Sequence, residues 1–272
     1  IENGKITNLT ESGYTDGNFR WALGGKAMTW MSDRAGYRSH GSWGSEDDVY
    51  IMFFDGEEYY KFTRDEESEE MESLLADEKK EKKESKDSAK VEKKPEKLVM
   101  DLENRADRII RLTRFSGRLG DHFLTSDGSK LYYMTRLEKS YDLCVLDTKK
   151  GNIQVLAKNV SGTIYPSGDD GYFYILGGSG VSKLNTASGT RESIAFSGEF
   201  NYRPAEEREY IFDHVWKQVA DKFYDKDIHG IDWTMYGDAY RRFLPHIDNN
   251  FDFQEMLSEL LGELNGSHTG AR

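Results

Sequence analysis

Over roughly the first 198 residues, apolar and aromatic positions come in short runs broken by Gly, Asp and Asn. The stretches GGKAMTWMSDRAG, DGSKLYYMTRLEKSYDLCVLDTKKG and DGYFYILGGSGVSKLNTASG follow one plan. Each opens on a Gly-Lys, Asp-Gly-Ser or Asp-Gly turn and runs into an aromatic and aliphatic strand. The second and third add another strand that ends in DTKKG or NTASG. Such turns supply the positive φ and the local side-chain bonds that tight hairpins need. Gly128 and Gly171 lie 43 residues apart, within the ~40–45 residues of a four-stranded propeller blade. Gly25 to Gly128 is one such period plus an excess of about 60 residues that holds a charged block, so the repeat survives the insertion. Three units are too few to close a ring of about four to eight blades, and open edges invite pairing with other chains. The pattern therefore predicts part of a longer propeller.

From Ala205 the period turns helical. In AEEREYIFDHVWKQVADKFYD, Ile211, Val215, Val219 and Phe223 recur every four residues, and Phe212 and Trp216 widen the stripe. Glu206, Glu207 and Glu209 sit at its start, where the helix dipole favours carboxylates. Asp232 is the expected N-cap of a second helix, WTMYGDAYRRFL, which Pro245 closes. A third helix is expected from Asp252, with Glu255 completing a capping box. Phe253, Met256, Leu257, Leu260, Leu261 and Leu264 line one face, and Asn265-Gly266 is the expected left-handed C-cap. The predicted fold class is mainly β plus α: partial β-propeller blades over 1–200, then a small three-helix domain over 201–272.

A net charge of -12 argues against nucleic acid or an anionic membrane as the main partner, since both need basic patches. No apolar run approaches the ~20 residues that span a bilayer. Residues 64–97, acidic in the first half and lysine-rich in the second, read as a solvated helix or a disordered loop. Met71, Leu74 and Leu75 are the block's short apolar patch. The single cysteine, Cys144, can form no intramolecular disulfide and reads as a small buried strand residue.

GxSxG, GxxxxGK[ST] and HExxH motifs are all missing from the sequence, so no cofactor or metal site is expected. His40, His122, His214, His229 and His246 show no metal-ligand spacing and read as structural or surface residues. Asp47-Asp48 and Asp169-Asp170 read as turns. Ser267 and His268 follow directly on the last helix, in GELNGSHTGA. By themselves they read as an ordinary helix end, hydroxyl and imidazole bonding free carbonyls.

FYDKDIHGIDWTMYGDAYRRFLPHI followed by LLGELNGSHTGA resembles the tricorn protease family, a branch of the C-terminal-processing serine peptidases. MDLENRADRIIRLTRFSG resembles the blade opening that often precedes this unit in the family. The resemblance is specific over about residues 205–272 and looser, at the level of the repeat, before them. It implies a β-propeller region, a small helical domain, a PDZ-like domain and an α/β catalytic domain, in that order. It makes His268 the general base of a catalytic tetrad and Ser267 a hydrogen-bonding relay member. The nucleophilic serine and the orienting glutamate are implied beyond Arg272, so residues 1–272 alone are expected to be inactive. Gly270 departs from the pattern, since an aromatic residue is expected there. A serine hydroxyl needs an imidazole to take its proton and a third group to hold that imidazole's tautomer. Histidine ordinarily titrates close to working pH. The resemblance further implies short-peptide substrates, a homo-oligomer (a hexamer) and a cytoplasmic location, with a periplasmic one as the alternative. Two other readings are a non-enzymatic β-propeller interaction module and the propeller of a prolyl-oligopeptidase-type enzyme. The second would call for a GxSxG region after the propeller.

Overall fold

Alternation in KLYYMTR puts Leu131 and Tyr133 on one face of a strand and Tyr132 and Met134 on the other. All four are buried, so this strand sits between two apolar layers. The computed structural model describes residues 4, 6–40, 44–65, 68, 71, 98, 100–178 and 180–271. They divide into two compact units, Ile1–Phe196 and Ser197–Arg272.

The first unit contains three four-stranded antiparallel sheets. One holds β1 (Asp16–Ala22), β2 (Ala27–Ser32), β3 (Asp48–Phe53) and β4 (Ile109–Arg111). The next holds β5 (Leu119–Leu124), β6 (Lys130–Arg136), β7 (Tyr141–Asp147) and β8 (Ile153–Ala157). The last holds β9 (Thr163–Pro166), β10 (Tyr172–Gly177), β11 (Gly180–Asn185) and β12 (Arg191–Ile194). The shared plan is visible atom by atom in the turns DTKKG and NTASG. Asp147 and Asn185 each accept two backbone N–H groups, and Gly151 and Gly189 carry the positive φ. The Thr148 hydroxyl donates to Gly128 O at 2.7 Å, and that of Thr186 to Gly171 O at 3.0 Å.

Val49, Ile51 and Phe53 of the first sheet pack with Leu131, Tyr133, Cys144 and Leu146 of the second. The second sheet's other face, with Tyr132, Met134, Leu143 and Val145, packs with Ile164, Phe173, Ile175 and Leu184 of the third. Cys144 is buried as expected, and burial pushes its thiol up to about 11, far from a reactive thiolate. Asp121 ties the three leading strands together. It accepts from Asn18 and Arg20 of β1, each at 2.7 Å, and from the N–H of Ile164 in β9 at 2.6 Å.

The outward faces of the row differ. Met28, Trp30, Tyr50, Met52 and Phe54 are buried, with Leu9 and Leu102 packed against them. Tyr165, Tyr174 and Leu176 of the third sheet are exposed. Neighbours in sequence therefore differ in energy: Ile175 is 2% exposed and Leu176 49%. Ile175→Ala is expected to cost the sheet unit about 2–4 kcal/mol and Leu176→Ala less than about 0.5 kcal/mol. Urea denaturation checks this, and equal losses would mean that both faces are covered.

Some sequence expectations change. Asp48 is no turn residue: it starts β3 fully buried, accepting from Thr113, Ser116 and Arg111. MDLENRADRIIRLTRFSG carries β4, the last strand of the first sheet, and runs toward β5, which opens the second. Its Arg108 is buried, donating to Phe53 O at 3.0 Å and to Asp101. The insertion follows β3 and α1 (Gly56–Thr63), whose N-cap is Asp55. Of residues 64–97, only 64, 65, 68 and 71 are described, so the helix-or-loop expectation and Leu74 and Leu75 lie outside the described residues. Met71 is exposed.

The second unit is built on α2 (Pro204–Lys222), α3 (Trp233–Arg241) and α4 (Asn250–Gly262). Pro204 and Glu206-Glu207 suit the first turn of α2, because that turn needs no proline N–H and favours anions. Asp232 caps α3, accepting from Met235 N at 2.9 Å. The third helix begins earlier than expected. Asn249, not Asp252, is its N-cap, and the two exchange bonds: Asp252 N to Asn249 Oδ1 and Asn249 Nδ2 to Asp252 Oδ2. An Asn side chain can both accept and donate, so the box closes without Glu255.

Phe212, Trp233, Phe253, Met256, Leu257, Leu260 and Leu264 form the core of this unit. Trp216 and Trp233 each donate an indole N–H to the other's carbonyl, both at 3.0 Å. This latch needs Gly237, where a Cβ would overlap the Trp216 indole N–H and lie 2.8 Å from Cδ1. Gly237→Ala is expected to destabilise the unit by about 2 kcal/mol through overpacking. The helix-favouring Gly→Ala effect of about 1 kcal/mol would show as a gain, and a gain in thermal unfolding would refute the latch.

Candidate functional site

The end of α4 is made by burial on one side and capping on the other. Leu264 is 1% exposed within the helical core, and the Glu263 N–H reaches back to the carbonyls of Glu259, Leu260 and Leu261. Helix ends leave carbonyls without partners. That of Leu264 accepts from His229 Nδ1 at 2.9 Å, and the next N–H, of Asn265, donates to Gly262 O at 3.0 Å. The Leu264–Asn265 peptide is therefore held on both edges. Asn265 takes φ +47°, the left-handed conformation that Asn tolerates. Gly266 does not share it, so the expected Asn265-Gly266 cap is Asn265 alone. Gly266 is instead a close-packing position, where a Cβ would meet Thr269 Cγ2 at 3.2 Å.

The chain then folds back. The Thr269 hydroxyl donates to Gly266 O at 3.0 Å. Ala271 N donates to Ser258 Oγ at 3.0 Å, and that hydroxyl donates to Ala271 O at 3.1 Å. Residues 265–270 thus form a short loop pinned at both ends to α4, with Ser267 and His268 in its middle.

Ser267 and His268 are both exposed, and neither side chain makes a hydrogen bond among the described residues. They do not bond free carbonyls as an ordinary helix cap would. His268 has φ +62°. Non-glycine residues in that region cost of order 1 kcal/mol or more and cluster at functional sites. Gly270, the departure noted in the sequence, has φ +155° and sits near Ser258 Oγ. An L side chain rarely adopts that conformation, which accounts for glycine where an aromatic was expected.

Around this loop, Tyr240 donates to Glu263 Oε1 at 2.8 Å, tying α3 to the end of α4. Burial, with Glu263 adding to it, pushes the Tyr240 phenol up to about 12, so it stays a donor. The sequence marks His229 only as a structural or surface residue. It lies in a turn at φ +54°, its ring edge-on to Phe223, bonded to Tyr224 as well as to Leu264 O. The one local signal was its place in the DIHGID linker. His122 is fully buried between sheets, and His214 stacks on Tyr210. Among the described residues no group of three or more His, Cys, Asp or Glu could hold a metal ion, and no helix is long and apolar enough to cross a membrane.

A row of four-stranded antiparallel sheets and a three-helix unit ending in an exposed Ser-His loop define the class: propeller-type β-sheets joined to a small α-helical domain. The chain is tricorn-like. Residues 204–262 match the family described as the Tricorn protease C1 domain, and Ser267 and His268 follow the matched segment. A curated Streptomyces coelicolor protein, named as tricorn protease homolog 2, is 35% identical over 65 residues, which are 24% of this chain and 6% of that protein. The crystal structure of the tricorn protease superposes with a TM-score of 0.60 over 99% of this chain and 26% of its own, at 12% identity. The chain thus spans a small part of the relatives it matches, and the structural likeness bears on the fold.

Proposed function

We propose that the helical unit supplies the Ser267-His268 half of a catalytic tetrad in a tricorn-like serine peptidase that cleaves short peptides. His268 takes the proton from a nucleophilic serine, and Ser267 is a hydrogen-bonding relay that orients the groups around it. The nucleophile and an orienting glutamate come from another part of the complete protein. The observation that carries this reading is the loop itself: a Ser-His pair without a hydrogen-bond partner among the described residues, on a loop anchored at Leu264 and Ala271. Holding a base in place matters because misplacement by about 1 Å can cost roughly 100-fold in rate. The match to a tricorn protease C1 domain supports it.

The three sheets are blades of a propeller that controls access of peptides, and further sheets would cover Tyr165, Tyr174 and Leu176. Peptide substrates, assembly into hexamers and a cytoplasmic site of action follow from the same reading. The test is steady-state cleavage of fluorogenic short peptides. Cleavage by the complete gene product and none by residues 1–272 is expected. Inhibitor-sensitive cleavage by residues 1–272 would refute the division of the tetrad.

A second reading, a non-enzymatic interaction module, draws on the exposed aromatic face of β9 and β10. A complete gene product that cleaves no peptide would favour it.

A further inference from the structure

Resting on the reading above, we propose that His229 is a positioning residue for the Ser267-His268 loop, acting through the Leu264 carbonyl. The two segments are 35 residues apart in sequence and meet at one bond, His229 Nδ1 to Leu264 O at 2.9 Å. A carbonyl can only accept, so Nδ1 carries the proton. Nε2 then offers a lone pair, which accepts the hydrogen bond that the Tyr224 hydroxyl donates. One ring thus has a donor and an acceptor edge, each matched to its partner, and Tyr224 selects the tautomer that holds Leu264.

The linker backbone is shaped for this contact. Ile228 and His229 both adopt positive φ, at +46° and +54°, and Gly230 follows at +72°. Asp225 accepts the His229 N–H at 3.2 Å and the Asp227 N–H at 3.1 Å, fixing the turn from within. Phe223 and Tyr224 face the imidazole at ring-centre distances of 5.1 and 5.3 Å. Two consecutive non-glycine residues in the left-handed region are costly, and here they deliver one imidazole edge to the Leu264 carbonyl before the loop.

The consequence lies four residues downstream. With Asn265 N–H on Gly262 O and Leu264 C=O on His229, the peptide plane that launches the loop has no freedom to rotate. Releasing its carbonyl lets residues 265–270 pivot about Ala271, whose bonds to Ser258 remain. His268 moves with them.

The test separates the hydrogen bond from the packing. His229→Phe keeps a ring against Phe223 but has no N–H, whereas His229→Asn keeps a donor near Nδ1 and suits positive φ. In the complete gene product, His229→Phe is expected to lower kcat by about 10–100-fold with KM changed less than about threefold, as for a displaced base. His229→Asn should remain within about threefold of wild type. Tyr224→Phe leaves the backbone untouched and should lower kcat by a few-fold. A readout free of activity is the histidine nitrogen spectrum of residues 1–272, where His229 should show Nδ1–H, with Nε2–H mixed in by Tyr224→Phe. The proposal is overturned if His229→Phe keeps wild-type kcat, if Asn is as damaging as Phe, or if wild-type His229 carries its proton on Nε2. If instead His268→Ala is harmless, the peptidase reading itself falls and takes this role with it.

Discussion

His268→Ala is expected to lower kcat of the complete gene product by at least about 1000-fold while the protein stays folded. A serine hydroxyl at neutral pH is a poor nucleophile, and its attack needs a base in contact with the proton it gives up. Nothing in the fold gives this substitution a structural cost to confuse the result. The His268 side chain is exposed and bonds to no described residue, and the loop is anchored through Leu264 and Ala271. Alanine keeps the β-carbon, so the left-handed backbone at this position stays as it is, and loss of an exposed side chain leaves thermal stability within about 0.5 kcal/mol. Ser267→Ala, which would remove the relay hydrogen bond proposed for the assembled tetrad, is expected to cost about tenfold. Peptide cleavage unchanged by His268→Ala would reduce the loop to a helix terminus and remove the central residue of the peptidase reading.

The sheet unit is expected to lose about 3 kcal/mol of stability between pH 6.5 and pH 4 through one residue, His122. His122 is 0% exposed, with Nε2 on Thr29 Oγ1 at 3.0 Å and Nδ1 without a partner among the described residues. Burial pushes its pKa down to about 4; Asp121 opposes the shift and Arg20 adds to it. Above pH 6.5 the ring is neutral in both the folded and the unfolded chain and contributes no pH dependence. Between 6.5 and 4 the unfolded chain binds a proton that the folded chain refuses, so stability falls as pH falls. Below about 4 both states are protonated and the loss levels off. Asp16 and Asp127 are held below the ordinary carboxylate range by their hydrogen bonds, outweighing the opposing effect of burial, so their contributions are lost at lower pH. Asp47, raised by burial, acts in the opposite direction. Urea denaturation of wild type and His122→Asn across this range isolates the histidine, because the other groups cancel in the difference. Parallel pH dependences would show that His122 is not the group responsible.

Most of the architecture was legible because its causes are local. Strand side chains alternate with period two, and Asp-Gly or Asn-Gly turns must recur where hairpins reverse. The spacing of Gly128 and Gly171 therefore already marked the blades. The stripe of α4 and the Asp232 cap were legible for the same reason. The N-cap of α4 lies three residues before the expected one, because Asn249 and Asp252 are both good caps. Only the geometry shows the second bonding back to the first.

What the residues could not show locally were bonds between distant segments. Asp48 and Asp121 look like any acidic residue beside a turn or strand, yet one is buried among Thr113, Ser116 and Arg111, and the other joins β1, β5 and β9. A carboxylate's neighbours across a sheet junction leave no periodic trace. The sequence by itself determined the blades, the helices, the burial of Cys144 and the position of Ser267-His268 just past a helix. Only the tertiary structure decided that this pair is free of hydrogen-bond partners among the described residues, that its loop is pinned by Ser258, and that His229 holds the peptide before it. Period and capping are properties of neighbours along the chain, whereas the anchoring of a loop depends on which carbonyl meets which imidazole after the helices have packed.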